Sequence, residues 1–134
     1  MTDDKISTRG WPDFALLAAR LLIGTLFLGG AIQKLFSPAD AMALLEMRNL
    51  PPALVWPAMA FNAATGVALV IGVRVRVVAM VLAAYCALTS VFHLIPSDPW
   101  QMSIFFKNWS VAGGCLALAV AGSGRFALQT DRAV

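Results

Sequence analysis

The chain has 134 residues, of which 60% are hydrophobic and 13% charged, with a formal net charge of +3. Soluble domains run near roughly 45–50% apolar and about 25% charged, and so short a fold buries too modest a share of its surface to hide the excess, so the solvent that fits is lipid. The ten basic residues are scattered at the ends of apolar runs rather than gathered into a patch, which speaks against a nucleic-acid partner.

The expected architecture is all-α: a membrane four-helix bundle forming one domain over 1–134. A helix needs roughly 20 apolar residues to cross a ~30 Å hydrocarbon core, and four runs meet that length approximately, at 14–36, 53–73, 77–95 and 103–121. None shows the period-two alternation of a membrane barrel. The first run carries Arg20 and no small-residue cleavage site, so it reads as a retained helix rather than a signal peptide. After it, Ser37 can cap and Pro38 can open a short amphipathic helix within 37–50, in which Met42, Leu45 and Leu50 alternate with Asp40, Glu46 and Arg48. Such a segment suits the membrane interface. Pro51 and Pro52 open the second span, and Arg74-Val75-Arg76 is a very short turn into the third. Pro96-Ser97-Asp98-Pro99 breaks the chain before the fourth span, and Gly122-Ser123-Gly124 stops it.

Orientation follows from basic residues near the span ends. Lys5, Arg9, Arg74, Arg76, Arg125 and Arg132 fall on one side, against Arg48 on the other with Lys34 and Lys107 just inside. Both termini are therefore expected in the cytoplasm, in a multi-pass protein of a bacterial-type inner membrane. Trp11, Trp56, Trp100 and Phe126 fall near the expected interfaces. Helices in lipid associate through small residues and polar contacts. Ala79-Ala83-Ala87, Gly113-Ala117-Ala121 and Ala58-Asn62-Gly66 are the packing stripes on offer.

Ionisable groups in hydrocarbon are costly and mark sites by default. Arg20 shares one stripe of the first helix with Gly24, Phe27, Ala31 and Lys34. Both cations could instead snorkel to headgroups. Asn62, in the second span, suits an interhelical hydrogen bond. His93 is the sole histidine, on the face of Cys86, Thr89 and Ser90, and its ordinary titration range suits a proton relay. Lys107 and Asn108 enter the fourth helix at the level of Gln33, Lys34 and His93. These five form the ligand-binding candidate, an outer pocket of donors for a carbonyl, a quinone head group or an anion. Cys86 and Cys115 lie in apolar runs without metal-ligand spacing, so no metal site is expected and no cofactor motif is evident.

The runs Arg20-Leu-Leu-Ile-Gly24 through Gly30-Ala-Ile-Gln-Lys34-Leu, the Gly72-Val-Arg74 turn, and Phe106-Lys107-Asn108-Trp-Ser-Val-Ala-Gly113-Gly114 with Gly122-Ser-Gly124-Arg125-Phe-Ala-Leu resemble the DoxX family of small four-helix membrane proteins. The resemblance implies a membrane assembly: some relatives are subunits of thiosulfate:quinone oxidoreductase, others belong to oxidative-stress assemblies. The family pattern often places a glutamate where Asn62 stands before Gly66; an acid there could pair with Arg20 or carry protons, whereas asparagine only hydrogen-bonds. A quinone-linked redox subunit working with a membrane or soluble redox partner is the leading expectation. A non-catalytic accessory subunit of a larger complex comes second, with an oligomer conceivable, and a small-solute or anion permease third.

Overall fold

The computed structural model describes residues 10–131; Lys5, Arg9 and Arg132, counted above for orientation, lie outside the described residues. Among the described residues five α-helices follow in order: α1 Trp11–Phe36, α2 Ala39–Glu46, α3 Val55–Ile71, α4 Val75–Ser90 and α5 Pro99–Ala121. A 3₁₀ turn at Pro52–Leu54 leads into α3, and another at Val91–His93 prolongs α4. Among the described residues, four helical segments are long and apolar enough to cross a membrane: Trp11–Phe36, Pro52–Ile71, Val75–His93 and Pro99–Ala121.

The spans match the expected ones in number and order, with corrected ends. α5 begins four residues before the expected 103, because Asp98 accepts hydrogen bonds from the backbone N–H of Trp100 (3.0 Å) and Gln101 (3.3 Å) and Pro99 takes the first helical position. Proline has no N–H to leave unpaired there, so the residue that breaks one segment opens the next. α3 ends at Gly72, whose φ of 78° is left-handed, the conformation that glycine adopts without a Cβ clash. The turn is therefore Gly72-Val73-Arg74, with Val75 and Arg76 already helical. Between α1 and α3, Ser37 terminates α1 instead of capping α2, and Pro38 occupies the cap position without a side-chain bond.

Each long helix buries one stripe. On α1 it is Arg20, Gly24, Phe27 and Ala31; on α3 it is Val55, Asn62, Gly66 and Leu69; on α4 it includes Val75, Ala79, Leu82, Ala83, Cys86 and Ser90. On α5 the buried residues are Ala112, Cys115, Leu118 and Ala119, whereas Gly113 and Ala117 of the expected packing stripe are exposed. Small residues permit close approach without choosing a partner, and here Gly113 has no neighbour within 4 Å of an added Cβ. The closest pairs are α1 with α3 and α4 with α5. α1 and α3 meet backbone to backbone at two glycines: a Cβ on Gly24 would stand 3.0 Å from the Gly66 carbonyl oxygen, and one on Gly66 would stand 2.8 Å from Leu28 Cγ and 3.0 Å from the Gly24 oxygen.

The chain's two described ends share one end of the bundle, where residues 122–131 form a strap. Leu128 N–H donates to the Ile71 carbonyl (3.0 Å) and Gln129 N–H to that of Gly72 (2.9 Å), which satisfies acceptors that α3 leaves open at its C-terminus. Arg125 pairs with Asp13 at 3.1 Å. Arg76 donates to the carbonyls of Ala119 and Val120 at the end of α5. Arg20 does not snorkel. It is 1% exposed, and its two terminal nitrogens donate to the carbonyls of Ser123 and Phe126. At the opposite end, Arg48 reaches from the linker after α2 to the Val91 carbonyl at 2.7 Å.

The glycine contact yields a paired prediction. Gly66→Ala forces α1 and α3 apart and should cost about 1–3 kcal/mol, read as an earlier midpoint in a denaturing-detergent titration. Gly29→Ala, where an added Cβ meets nothing within 4 Å, should leave the midpoint unchanged or raise it slightly.

Candidate functional site

In the half of the bundle away from the 122–131 strap, α1, α3 and α4 bring polar groups together. A Cβ on Gly30 of α1 would stand 3.1 Å from the Asn62 amide of α3, so the two helices are close enough there for one amide to reach across. Lys34 sits one turn beyond Gly30. Its side chain turns back into the bundle, with Nζ 3.4 Å from the Gly30 carbonyl oxygen. The Asn62 amide satisfies its neighbours in one orientation only. In that orientation its oxygen accepts from Lys34 Nζ (3.1 Å), and its nitrogen donates to the Ala58 carbonyl (3.3 Å) and to the Tyr85 hydroxyl (3.2 Å). Asn62 is 4% exposed, so its polar atoms need such partners.

Tyr85 closes the arrangement from α4. Its ring packs on Phe61 with centroids 4.6 Å apart and lies 6.2 Å from that of Phe27. Because its oxygen accepts from Asn62, its own hydroxyl hydrogen remains available to donate. Lys34 likewise keeps one ammonium hydrogen beyond those given to Gly30 and Asn62. The result is two unspent donors flanking one amide, against aromatic surface.

α5 carries the remaining sequence candidates. Asn108 falls on the stripe of Gln101, Cys115 and Ala119, with spacings that keep one helix face inward. It is half-buried. Lys107 is exposed, and it shares a face of α5 with Gly114, where an added Cβ would lie 3.7 Å from Ile23 of α1. It therefore lies on the face of α5 turned toward α1. His93, at the end of the α4 extension, shares a hydrogen bond of 2.7 Å between its Nδ1 and Gln101 Oε1. With that amide oxygen accepting, Nδ1 carries the hydrogen and Nε2 is left to take a proton. Neither lysine forms an ion pair among the described residues.

Of the sequence candidates, Lys34 meets Asn62, His93 meets Gln101 of α5, and Lys107 and Asn108 lie on α5 without a side-chain hydrogen bond among the described residues. Gln33 is exposed on its helix and forms no side-chain hydrogen bond among the described residues. Arg20 lies on the Lys34 stripe but at the opposite end, bound into the strap. Tyr85 and Gln101 were not singled out by sequence reasoning. The signals were present: Tyr85 is the sole tyrosine, set inside an apolar run, and Gln101 sits on the Asn108 stripe. Among the described residues no group of three His, Cys, Asp or Glu side chains could hold a metal. Cys86 and Cys115 are free and buried in the apolar core.

The amide bridge predicts a stability effect. Asn62→Leu fills the same space but leaves Lys34 and the Tyr85 hydroxyl without their partner, and should cost about 1–2 kcal/mol in a denaturing-detergent titration. Asn62→Asp gives Lys34 a counter-ion and should lose less.

The sequence matches the DoxX family over residues 15–94, which takes in Lys34, Asn62, Tyr85 and His93 and stops short of α5. The inner membrane protein YqjF of Escherichia coli (strain K12) is 26% identical over 118 residues, 87% of this chain and 91% of that one. No solved structure matches.

Proposed function

This chain belongs to the DoxX family of integral membrane proteins, and from that premise we propose that it is a quinone-linked membrane redox subunit whose polar layer holds a quinone head group. The observation that carries the reading is the bridge Lys34–Asn62–Tyr85, with Nζ and Oη at 3.1 and 3.2 Å from the two ends of one amide and each keeping a hydrogen to donate. A quinone carbonyl accepts such hydrogens, and its planar ring suits the half-buried aromatic surface of Phe61 and Tyr85. Reduction places negative charge on the carbonyl oxygens. The Lys34 ammonium, without a carboxylate partner among the described residues, stabilises that charge more than it stabilises the neutral quinone. Electrons come from a soluble or membrane partner.

In this reading the strap end, with Arg74, Arg76 and Arg125, faces the cytoplasm. The polar layer then lies in the outer half, with α2 in the outer interface. The name of the Escherichia coli relative supports placement in an inner membrane. A second reading, an accessory subunit packed against a larger complex, is favoured by one observation. An apolar groove of about 480 Å³ between α4 and α5, lined by Ala83, Ala87, Trp109, Ala112 and Gly113 among others, opens on the outside of the bundle.

Titration of the purified protein with a short-chain ubiquinone analogue tests the first reading. Saturable binding is expected, weakened roughly tenfold by Tyr85→Phe and by Lys34→Met, each of which removes one donor. Absence of saturation, or indifference to both changes, would sink it.

A further inference from the structure

The outward surface of the spans is mostly large and apolar: Leu22 and Phe36 of α1, Val77 and Leu88 of α4 and Val120 of α5 are all exposed. One face of α5 departs from this. Ser103, Lys107, Ser110, Gly114 and Ala117 recur at spacings of four, three, four and three residues, so they stand on one stripe, and all five are exposed. The serine hydroxyls donate along their own helix, Ser103 to the Pro99 carbonyl (3.0 Å) and Ser110 to that of Phe106 (3.1 Å). Lys107 forms no hydrogen bond and no ion pair among the described residues. It lies eight residues into α5, about 12 Å along the helix axis, where an ammonium group in lipid is costly without a counter-charge.

The stripe borders α1. A Cβ on Gly114 would stand 3.7 Å from Ile23 Cδ1. α1 and α5 run in opposite directions, so Lys107 and Gly30, each seven residues further from the strap than that contact, stand at one level. Ile23, Leu26, Gly30 and Gln33 share a stripe of α1. Gln33 therefore borders the same seam, nearly one turn beyond Lys107, exposed and with no side-chain hydrogen bond among the described residues. Lipid tails supply no partner for an amide or an ammonium, whereas the small residues of the α5 stripe let another helix backbone approach. A second copy of this chain does not bring the missing charge. Asp13 pairs with Arg125 and Asp131 accepts from Arg76 N–H at the strap end, Asp98 caps α5, and Asp40 and Glu46 lie on α2. Among the described residues no carboxylate stands at the level of Lys107.

We propose that this face of α5 is the docking surface for a transmembrane helix of a different protein, one that carries a carboxylate at the level of Lys107. The carboxylate supplies the counter-ion that Lys107 lacks, and Ser110, Gly114 and Ala117 let the two backbones come close enough for the pair to form. In a medium of low dielectric such a pair is strong and selects one partner and one register. The face is separate from the groove between α4 and α5, whose Trp109 and Ala112 lie on the other flank of α5. The contact rests on the reading of this chain as a subunit, which needs a partner, and it shares no residue with the bridge of Lys34, Asn62 and Tyr85.

The test uses the full chain in lipid bilayers, labelled with a donor dye at an introduced Thr130→Cys; Cys86 and Cys115 are buried and escape labelling. The probe is an acceptor-labelled leucine–alanine peptide that spans the bilayer, with one glutamate about 12 Å from its end, against the same peptide with leucine in that place. Saturable energy transfer with the glutamate peptide is expected, and association roughly tenfold weaker with the leucine peptide, as for loss of a charge-assisted contact. Lys107→Gln should abolish that preference while keeping the parent's denaturing-detergent midpoint, since Lys107 makes no hydrogen bond among the described residues. Lys107→Glu should reverse it, in favour of a peptide with lysine in the same place. Ala117→Phe puts a ring on the stripe, leaves the cation intact, and should weaken association of the glutamate peptide. Equal association of the glutamate and leucine peptides, or association indifferent to both Lys107→Gln and Ala117→Phe, overturns the proposal and leaves Lys107 a headgroup contact. Energy transfer between two labelled copies of the chain that Ala117→Phe removes, without preference for the glutamate peptide, overturns it in favour of a second copy. Saturable quinone binding alongside either result leaves the head-group reading standing.

Discussion

The contact between Gly24 and Gly66 fixes the rest of the structure. Only at a pair of glycines can two helix backbones come so near that each carbonyl would touch the other's Cβ. That approach sets the register of α1 against α3 and leaves no freedom to slide. From it follows the meeting of Gly30 with Asn62 on the far side of the crossing, and the meeting of Arg20 with Gly72 and the strap on the near side. A Cβ on Gly72 would stand 2.7 Å from an Arg20 guanidinium nitrogen. One packing decision thereby places a cation at each end of the same stripe, in two different surroundings.

Those surroundings divide the cations by role. A helix end in or near lipid leaves carbonyls without water to bond, and each unpaired group is expensive. The arginines answer that need: Arg20 at Ser123 and Phe126, Arg76 at Ala119 and Val120, Arg48 at Val91. A guanidinium suits the task because it stays charged and carries five donors in a rigid fork. Arg20 needs no carboxylate, since the carbonyls it meets lie in the strap that follows α5, beside the C-terminal end of α3, where the helix dipole is negative. The lysines are different. Lys34 caps no helix end beyond its own Gly30, and Lys107 makes no hydrogen bond among the described residues. What separates the candidate site from the structural charge is this spare donor capacity rather than depth in the membrane.

Much of this was legible in the sequence, and the misses have physical causes. Four apolar runs gave four spans because length and hydropathy are local properties. The stripe Arg20, Gly24, Phe27 and Ala31 was correct because helical spacing decides which residues share a face. Spacing does not say what a face meets. The Gly113 stripe reads like a packing surface and is exposed, while Arg20 finds its acceptors 103 and 106 residues away in a strap without periodicity. The inward turn of Lys34 depends on an acceptor in another helix, which spacing along α1 cannot reveal. Tyr85 went unremarked because aromatic residues in apolar runs usually serve as packing, and only the Asn62 amide gives its hydroxyl a role. α5 started early because a proline reads as a break until the aspartate before it is recognised as a cap.

The account turns on Lys34 facing inward to Asn62 rather than outward to headgroups. Solid-state dipolar recoupling on the protein in lipid bilayers, between isotope-labelled lysine side-chain nitrogen and asparagine side-chain carbonyl carbon, measures that directly. With Nζ 3.1 Å from the amide oxygen, the account predicts a strong coupling, for a nitrogen–carbon separation of about 4 Å given ordinary hydrogen-bond geometry, and its disappearance in Lys34→Arg. No coupling in the unaltered protein, or a coupling that survives that substitution, would contradict it.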